Sequence, residues 1–346
     1  MMNNKKVLVG MSGGVDSSMT AYFLQKEGYE VVGCYMKLHN SRAGYHEKNI
    51  QAGEKVASFL NIPYHILDLQ EEFKTEVYEY FVEEYKNGNT PNPCVKCNRT
   101  IKFGAMFNFA KSLGIEYLAT GHYVKTDGEF LYEADDKNKD QSYFLAQIKQ
   151  EVLPHLIFPM ALYKKEDIIK EAGNIPAMKE ISEKKESQEI CFVETVYTDI
   201  LKKHNNIDKV GDVLDSDGKV VGEHKGYMHY TIGKRKGFTV NGAHDPHYVK
   251  SLNPKDNSIV VGKKEDLAIS SVALENLNLY IKQETFKCGI KLRYRTTKVN
   301  CSIIIANDKA IVILDEPVYG VASGQVAVFY EGEKVLGSGW IVGTRE

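Results

Sequence analysis

The chain has 346 residues, of which 43% are apolar and 26% charged, with a formal net charge of −2. That length is too great for one small core and predicts two or three domains, while the composition excludes a disordered or fibrous chain. No apolar run approaches the ~18 residues a membrane span needs, so no membrane association is expected.

In chain order, "KVLVGM" (6–11) predicts a short strand buried on both faces, and a helix from about Ser17 to Glu27 stops at Gly28. "EVVGCYM" (30–36) is a second strand, 47–60 a helix, "PYHILDL" (63–69) a third strand and 71–86 another helix. Thr100 is read as the cap of a helix running to about Leu113, followed by a strand "IEYLAT" (115–120). This alternation predicts a doubly wound α/β domain with a parallel sheet. After about residue 200 the pattern changes. "VGDVLDSDGKVVGEH" predicts a hairpin around Asp-Ser-Asp-Gly, and from about 270 short β-branched runs alternate with turns, as in a small barrel. The expected division is 1–200 (nucleotide-binding α/β), 201–268 (small, β-rich) and 269–346 (C-terminal β-barrel).

Six cysteines without a secretory signal do not suggest a disulfide scaffold, and a reducing cytoplasm is the expected location. Cys34, Cys288 and Cys301 fall in strands and read as small hydrophobes. Cys94 and Cys97, in "TPNPCVKCNRTIKF" (90–103), are read in a loop just before a helix, whose N-terminus can lower a thiol's pKa from its free value of about 8.5. Structural zinc would ordinarily require a second Cys pair, which is absent. Cys191 in "ESQEICFVE" is the remaining candidate thiol.

"VLVGMSGGVDSS" (7–18) joins the first strand to the first helix, where an α/β sheet binds phosphate. Its spacing matches neither the dinucleotide fingerprint nor the Walker loop. It resembles the Ser-Gly-Gly-x-Asp-Ser loop of the ATP pyrophosphatase (PP-loop) superfamily, which adenylates a carbonyl oxygen. In that reading Ser12, Gly13, Gly14, Ser17 and Ser18 serve the pyrophosphate and Asp16 helps hold Mg²⁺. The near-neutral total also conceals a stretch from Thr285 to Asn307 without an acidic residue, carrying Lys287, Lys291, Arg293, Arg295 and Lys298, a field suited to a polyanion.

Over nearly its whole length the chain resembles the tRNA-specific 2-thiouridylases. The stretches carrying the likeness, in order, are "VGMSGGVDSS", "GNTPNPCVKCNRTIKF", "YLATGHYV", "KDQSYFL", "SQEICFV", "YTIGKRKG", "RYR" and "SGQVAVFY". The resemblance implies replacement of O2 of the wobble uridine (position 34) of tRNA by sulfur, with Lys, Glu and Gln type anticodons as substrates and a relay protein or cysteine desulfurase as sulfur donor. It implies ATP contacts at Gly10, Met11, Ser12, Gly13, Gly14, Val15, Asp16, Ser17, Met36 and Gly121. Cys97 matches the nucleophile, and Cys191 the persulfide carrier that pairs with it as a disulfide. Asn92, Pro93 and Cys94 match contacts to the target base. His122, Lys139, Asp140, Gln141, Arg293, Tyr294 and Gln325 match contacts to tRNA.

Two departures stand out. Many members have Asp where this chain has Cys94, and an acidic, Trp-containing stretch where this chain has "KLHNSRAGYHEKN". The first opens a rival mechanism, with Cys94, Cys97 and Cys191 as ligands of a [4Fe-4S] cluster carrying the sulfur. Two further readings of the function are an amidating PP-loop synthetase and a non-catalytic RNA-binding protein.

Overall fold

In the computed structural model, which describes residues 5–40, 43–184, 190–242 and 244–345, the chain forms two compact units. The first comprises 1–77, 94–194 and 333–336, and the second 78–93, 195–332 and 337–346.

In the first unit the apolar run Val7–Val9 is completely buried because it is the central strand of a parallel sheet covered on both faces. The strands are β1 (Lys6–Gly10), β2 (Glu30–Lys37), β3 (Tyr64–Asp68), β4 (Tyr117–Thr120) and the two-residue β7 (Leu156–Ile157), in the order β3-β2-β1-β4-β7. Every pairing is parallel, with Leu8 opposite Val32 on one side and Leu118 on the other. Strand order therefore reverses at the gap between β1 and β4, and the carboxyl ends of these strands frame the crevice where such sheets bind ligands. Helix α1 (Val15–Lys26) leaves β1 through the Gly-rich loop and buries Met19, Phe23 and Leu24 against Val7, Val9 and Ile168. Each such side chain contributes roughly 1.5–3 kcal/mol of burial. Helix α2 is Tyr45–Leu60 and α3 is Lys165–Gly173. A hairpin of β5 (Val124–Thr126) and β6 (Leu131–Glu133) is extended by the chain at Lys334–Val335.

One helix boundary differs from expectation. The helix assigned from Thr100 begins at Pro93, continues through a π-helical stretch Asn98–Ala105 and ends at Ser112. Proline is suited to a first helical position because its missing N–H would have no partner there. Cys94 and Cys97 are thus helical residues, and Thr100 lies inside the helix, its hydroxyl donating to the Lys96 carbonyl at 3.0 Å.

The second unit contains two β-structures. A four-stranded sheet, β10-β11-β8-β9, is built from β8 (Gly211–Leu214), β9 (Val220–His224), β10 (Tyr248–Asn253) and β11 (Ser258–Gly262) around Val213, Tyr230, Val249, Ile259 and Val261. The Asp-Ser-Asp-Gly turn joins β8 to β9 as expected. The other is an antiparallel six-stranded barrel: β12 (Ala268–Leu279), β13 (Thr285–Lys291), β14 (Val299–Ala306), β15 (Lys309–Tyr319), β16 (Val326–Glu331) and β17 (Lys334–Arg345). Pairing of β12 with β17, from Ser271↔Arg345 to Leu279↔Gly337, closes it. No described helix is long and apolar enough to cross a membrane.

Candidate active site

The nucleotide loop takes its shape from two glycines. Gly13 has φ +77°, and a Cβ there would meet the Asn49 carbonyl at 2.7 Å. Gly121, just beyond β4, approaches so closely that a Cβ would lie 2.8 Å from the Ser17 nitrogen. The loop's hydroxyls fix one another: Ser12 N–H donates to Ser17 Oγ (3.1 Å), and Ser17 Oγ donates to the Gly14 carbonyl (3.1 Å). Ser18, assigned with them, is fully buried and its hydroxyl donates to the Gly14 carbonyl at 2.9 Å, so it braces the turn. Met11 is buried, its N–H bonded to the Cys34 carbonyl, and Met36 sits at the carboxyl end of β2. Gly10, Gly14 and Val15 complete the passage from β1 into α1, whose N-terminal amides and dipole favour phosphate.

Asp16, in the first turn of α1, has partners that sequence reading did not identify. Lys165 Nζ lies 2.6 Å from each of its carboxylate oxygens, and the Tyr123 hydroxyl donates to Oδ1 at 2.8 Å. Lys165 is 5% exposed at the start of α3, 149 residues away in sequence, and no motif marks it. The Ser12–Ser17 loop, the N-terminus of α1 and Asp16 form a fitting cradle for a Mg²⁺–triphosphate, with Lys165 as a cation within the same cradle.

The thiols form the second part of the site. Cys94 and Cys97 lie one helical turn apart, Cys97 buried and Cys94 half-buried, and Cys191 follows residues 185–189, which lie outside the described residues together with part of "SQEICFV". All three carry free thiols. They are near enough that the ionisation of each opposes the others: a charge on Cys191 or Cys94 raises Cys97, and one on Cys94 raises Cys191. The expected lowering of thiol pKa by a helix N-terminus is not what the structure gives. Burial pushes Cys97 up to about 12 and raises Cys94, because removal of water penalises the thiolate more than the Lys102 charge relieves it; Cys191 is solvent-exposed and its thiol is raised less. Among the described residues no group of three or more His, Cys, Asp or Glu side chains could hold a metal ion. The three cysteines as arranged do not fit a [4Fe-4S] cluster.

His122 joins the two parts. It directly follows Gly121, its Nδ1 lies 2.7 Å from Thr120 Oγ1, and its Nε2 lies 3.4 Å from Lys102 Nζ. An ammonium only donates, so Nε2 accepts and Nδ1 carries the proton toward Thr120. Burial and the Lys102 charge hold His122 well below the usual imidazole range, and it is neutral.

The remaining assigned residues lie elsewhere. In "KDQ", Lys139 is partly exposed, while Asp140 is 4% exposed and accepts from Ala134 N–H, Ser142 N–H and Ser142 Oγ. Gln141 Oε1 accepts from Tyr123 N–H at 3.0 Å, so this segment supports the tyrosine that holds Asp16. In the second unit Asn92 is buried, and Gln325 Nε2 donates to the carbonyls of Thr90 (2.8 Å) and Pro91 (3.3 Å). Arg293 donates to the Ile232 carbonyl at 3.3 Å and is followed by partly exposed Tyr294. Pro93, the first helical residue, leads directly into Cys94.

Three family models match in succession: a tRNA methyl transferase HUP domain over residues 5–195, a tRNA methyl transferase PRC-barrel domain over 198–263, and an aminomethyltransferase beta-barrel domain over 269–341. The chain is 63% identical over 345 residues to tRNA-specific 2-thiouridylase MnmA 1 of Aliarcobacter butzleri, covering 99% of this chain and 100% of that protein. It is 58% identical to the MnmA of Sulfurimonas denitrificans (98% and 99% covered) and 56% identical to that of Campylobacter jejuni (97% and 99% covered). Among solved structures, the U34-tRNA thiolase NcsA of Methanococcus maripaludis with its [4Fe-4S] cluster overlaps 60% of this chain and 67% of its own, at 20% identity and a TM-score of 0.37. The glycine loop, the thiols and near-complete alignment with these relatives place the chain in the tRNA-specific 2-thiouridylase family of the PP-loop superfamily.

Proposed function

We propose that the chain catalyses ATP-dependent 2-thiolation of the wobble uridine of tRNA. The observation that carries this reading is the His122 junction. One residue after Gly121 packs on the nucleotide loop, the His122 ring meets the lysine whose charge reaches all three thiols. An adenylating loop and a sulfur site therefore share one short stretch of backbone, as the chemistry requires.

In this mechanism the loop amides and Ser12 bind the pyrophosphate, Asp16 would hold Mg²⁺, which would neutralise phosphate charge, and Met36 and Gly121 flank the nucleotide. The uridine O2 attacks the α-phosphate, and pyrophosphate leaves. Sulfur carried as a persulfide on Cys191 then attacks C2, and AMP departs with the electron pair of the C2–O bond. Cys97 attacks Cys191 Sγ, breaking its bond to the transferred sulfur, which keeps that electron pair. The product is a Cys97–Cys191 disulfide, and an external dithiol supplies two electrons to reopen it. Asn92, Pro93 and Cys94 would receive a base withdrawn from the anticodon stack. His122, Lys139, Asp140, Gln141, Arg293, Tyr294 and Gln325 would serve tRNA, the basic barrel neutralising phosphates. The substrates are tRNAs of Lys, Glu and Gln type, the sulfur donor is a relay protein or cysteine desulfurase, and the setting is the cytoplasm. The domains are 1–200, 201–268 and 269–346.

The test supplies unmodified tRNA, ATP, Mg²⁺ and a physiological sulfur relay to the enzyme and its Cys97→Ser and Cys191→Ser variants, with 2-thiouridine read by mass spectrometry. Wild type forms the product and neither variant does. Normal thiolation by Cys97→Ser would overturn the nucleophile assignment.

A further inference from the structure

Four cations lie on the helix from Pro93 to Ser112 that carries Cys94 and Cys97, and they face different partners; Lys111 Nζ sits over the Phe107 ring at 4.4 Å. Lys96 Nζ is 3.6 Å from Glu76 Oε2. Arg99 Nη1 donates to the Gln147 carbonyl at 3.1 Å and to Gln147 Oε1 at 2.7 Å. Among the described residues Lys102 makes no ion pair with a carboxylate, and it meets the neutral ring of His122. The backbone explains why Lys102 comes near the thiols. Between Asn98 and Ala105 the helix is π-wound, closing i→i+5 hydrogen bonds such as Met106 N–H to the Ile101 carbonyl. That winding brings residues five apart nearer to one face than an α-helix does, and Lys102 is five residues beyond Cys97, the last residue before the π stretch. An ordinary α-helix would turn a residue at that spacing well off the face.

We propose that Lys102 is the electrostatic partner of the sulfur-transfer thiols: its ammonium, steered by His122, stabilises the anionic sulfur of Cys97 and Cys191. The role is one of charge, since the lysine forms no bond to sulfur and supplies no electrons. Its cation opposes the rise of the thiols at Cys94, Cys97 and Cys191 alike. The other groups bearing on the thiols do not replace it. Cys94 and Cys191 oppose the ionisation of Cys97, Tyr35 bears on Cys191 only as another acid, and His122 is neutral. Cys94, which carries a free thiol, adds no fixed negative charge to neutralise the lysine. The inference rests on the proposed roles of Cys97 and Cys191.

The test uses the full-length, substrate-free protein and its Lys102→Met, Lys102→Gln and Lys102→Arg variants. Iodoacetamide alkylation of each cysteine is followed against pH by peptide mass spectrometry, with circular dichroism checking the fold. Lys102→Met and Lys102→Gln should shift the Cys97 and Cys191 profiles upward by about one pH unit, slowing alkylation roughly tenfold at a given pH, and Lys102→Arg should recover most of the rate. Profiles that superimpose on wild type, or an arginine variant as slow as the neutral ones, would overturn the proposal. Its failure is separable from failure of the mechanism. Unchanged profiles with an inactive Cys97→Ser enzyme remove only the role of Lys102, whereas normal thiolation by Cys97→Ser removes the nucleophile assignment whatever the alkylation shows.

Discussion

Lys165 Nζ sits 2.6 Å from both carboxylate oxygens of Asp16, so the acidic residue of the nucleotide loop is held by a lysine from a helix 149 residues downstream. The lysine side chain is 6% exposed and the aspartate 31%, which makes this a largely desolvated pair. Removing one partner of a buried pair costs about 3–5 kcal/mol, and the partial exposure of Asp16 puts this case near the lower figure. Lys165→Met is therefore expected to lower the melting temperature of the first unit by roughly 6–12 °C. Adding Asp16→Asn should restore part of the loss. Equal destabilisation in the single and double variants would contradict the pairing.

Gly121→Ala tests the other support of the loop. The added methyl would lie 2.8 Å from the Ser17 nitrogen and 2.9 Å from the Asp16 carbonyl carbon, and neither backbone atom can swing aside. Overpacking of this kind costs about 1–3 kcal/mol. Because the displaced atoms belong to the nucleotide loop, calorimetric ATP affinity should fall at least tenfold while the barrel's β signature stays unchanged. Unaltered affinity would show that the loop tolerates the shift.

Burial sets the pH behaviour of the thiols and of His122. With Cys97 pushed up to about 12 by burial, its thiol is neutral at physiological pH in the substrate-free enzyme, whereas Cys191 is solvent-exposed. A raised acid pKa stabilises the fold fully below the unfolded thiol value of about 8.5, and this contribution is lost as pH climbs toward the folded value. Stability should therefore decline from about pH 8.5 upward, less steeply in a Cys97→Ser protein, as urea titrations would show. His122 acts at the opposite end. Its lowered pKa favours the fold above about 6.5, and that contribution is lost as pH falls below it. Nuclear magnetic resonance should find the His122 ring unprotonated at pH 6; an ordinary titration there would refute the Lys102–His122 arrangement.

Gln325→Leu removes the amide that donates to the Thr90 and Pro91 carbonyls in the second unit. Two lost hydrogen bonds near the surface cost about 1–2 kcal/mol together. The neighbouring backbone bond from Thr90 N–H to the Ser323 carbonyl should then open more often, so amide exchange at Thr90 should quicken by roughly five- to thirtyfold. Unchanged exchange would show that the glutamine does not hold this segment.

Much of this architecture could be read from local pattern. The apolar strand before "SGGVDSS" and the glycines within it are local signals, and the parallel order and the phosphate loop follow from them. Turn residues at regular spacing likewise announced the β-rich second half. What could not be read depends on contacts distant in sequence. Lys165 lies in "YKKEDIIKE", where any lysine suits an exposed helix face, and only the packing of α3 on α1 buries it. The thiol environment was misjudged for a related reason: Cys94 and Cys97 looked like loop residues beside two prolines, but Pro93 starts the helix and tertiary packing removes their water. Lys102 lies within "CNRTIKF", but the π-winding that turns it toward the face of Cys97 has no sequence signature.

The long reach from Asp16 to Lys165 also bears on how the enzyme is made. On the ribosome the glycine loop emerges well before its charge partner, which is synthesised only after β2 to β7 have followed. A nascent chain halted before residue 165 would hold every residue of the recognisable nucleotide motif and still lack the cation that fixes its aspartate. The loop can take its finished form only once a residue 149 positions further along the chain has been made.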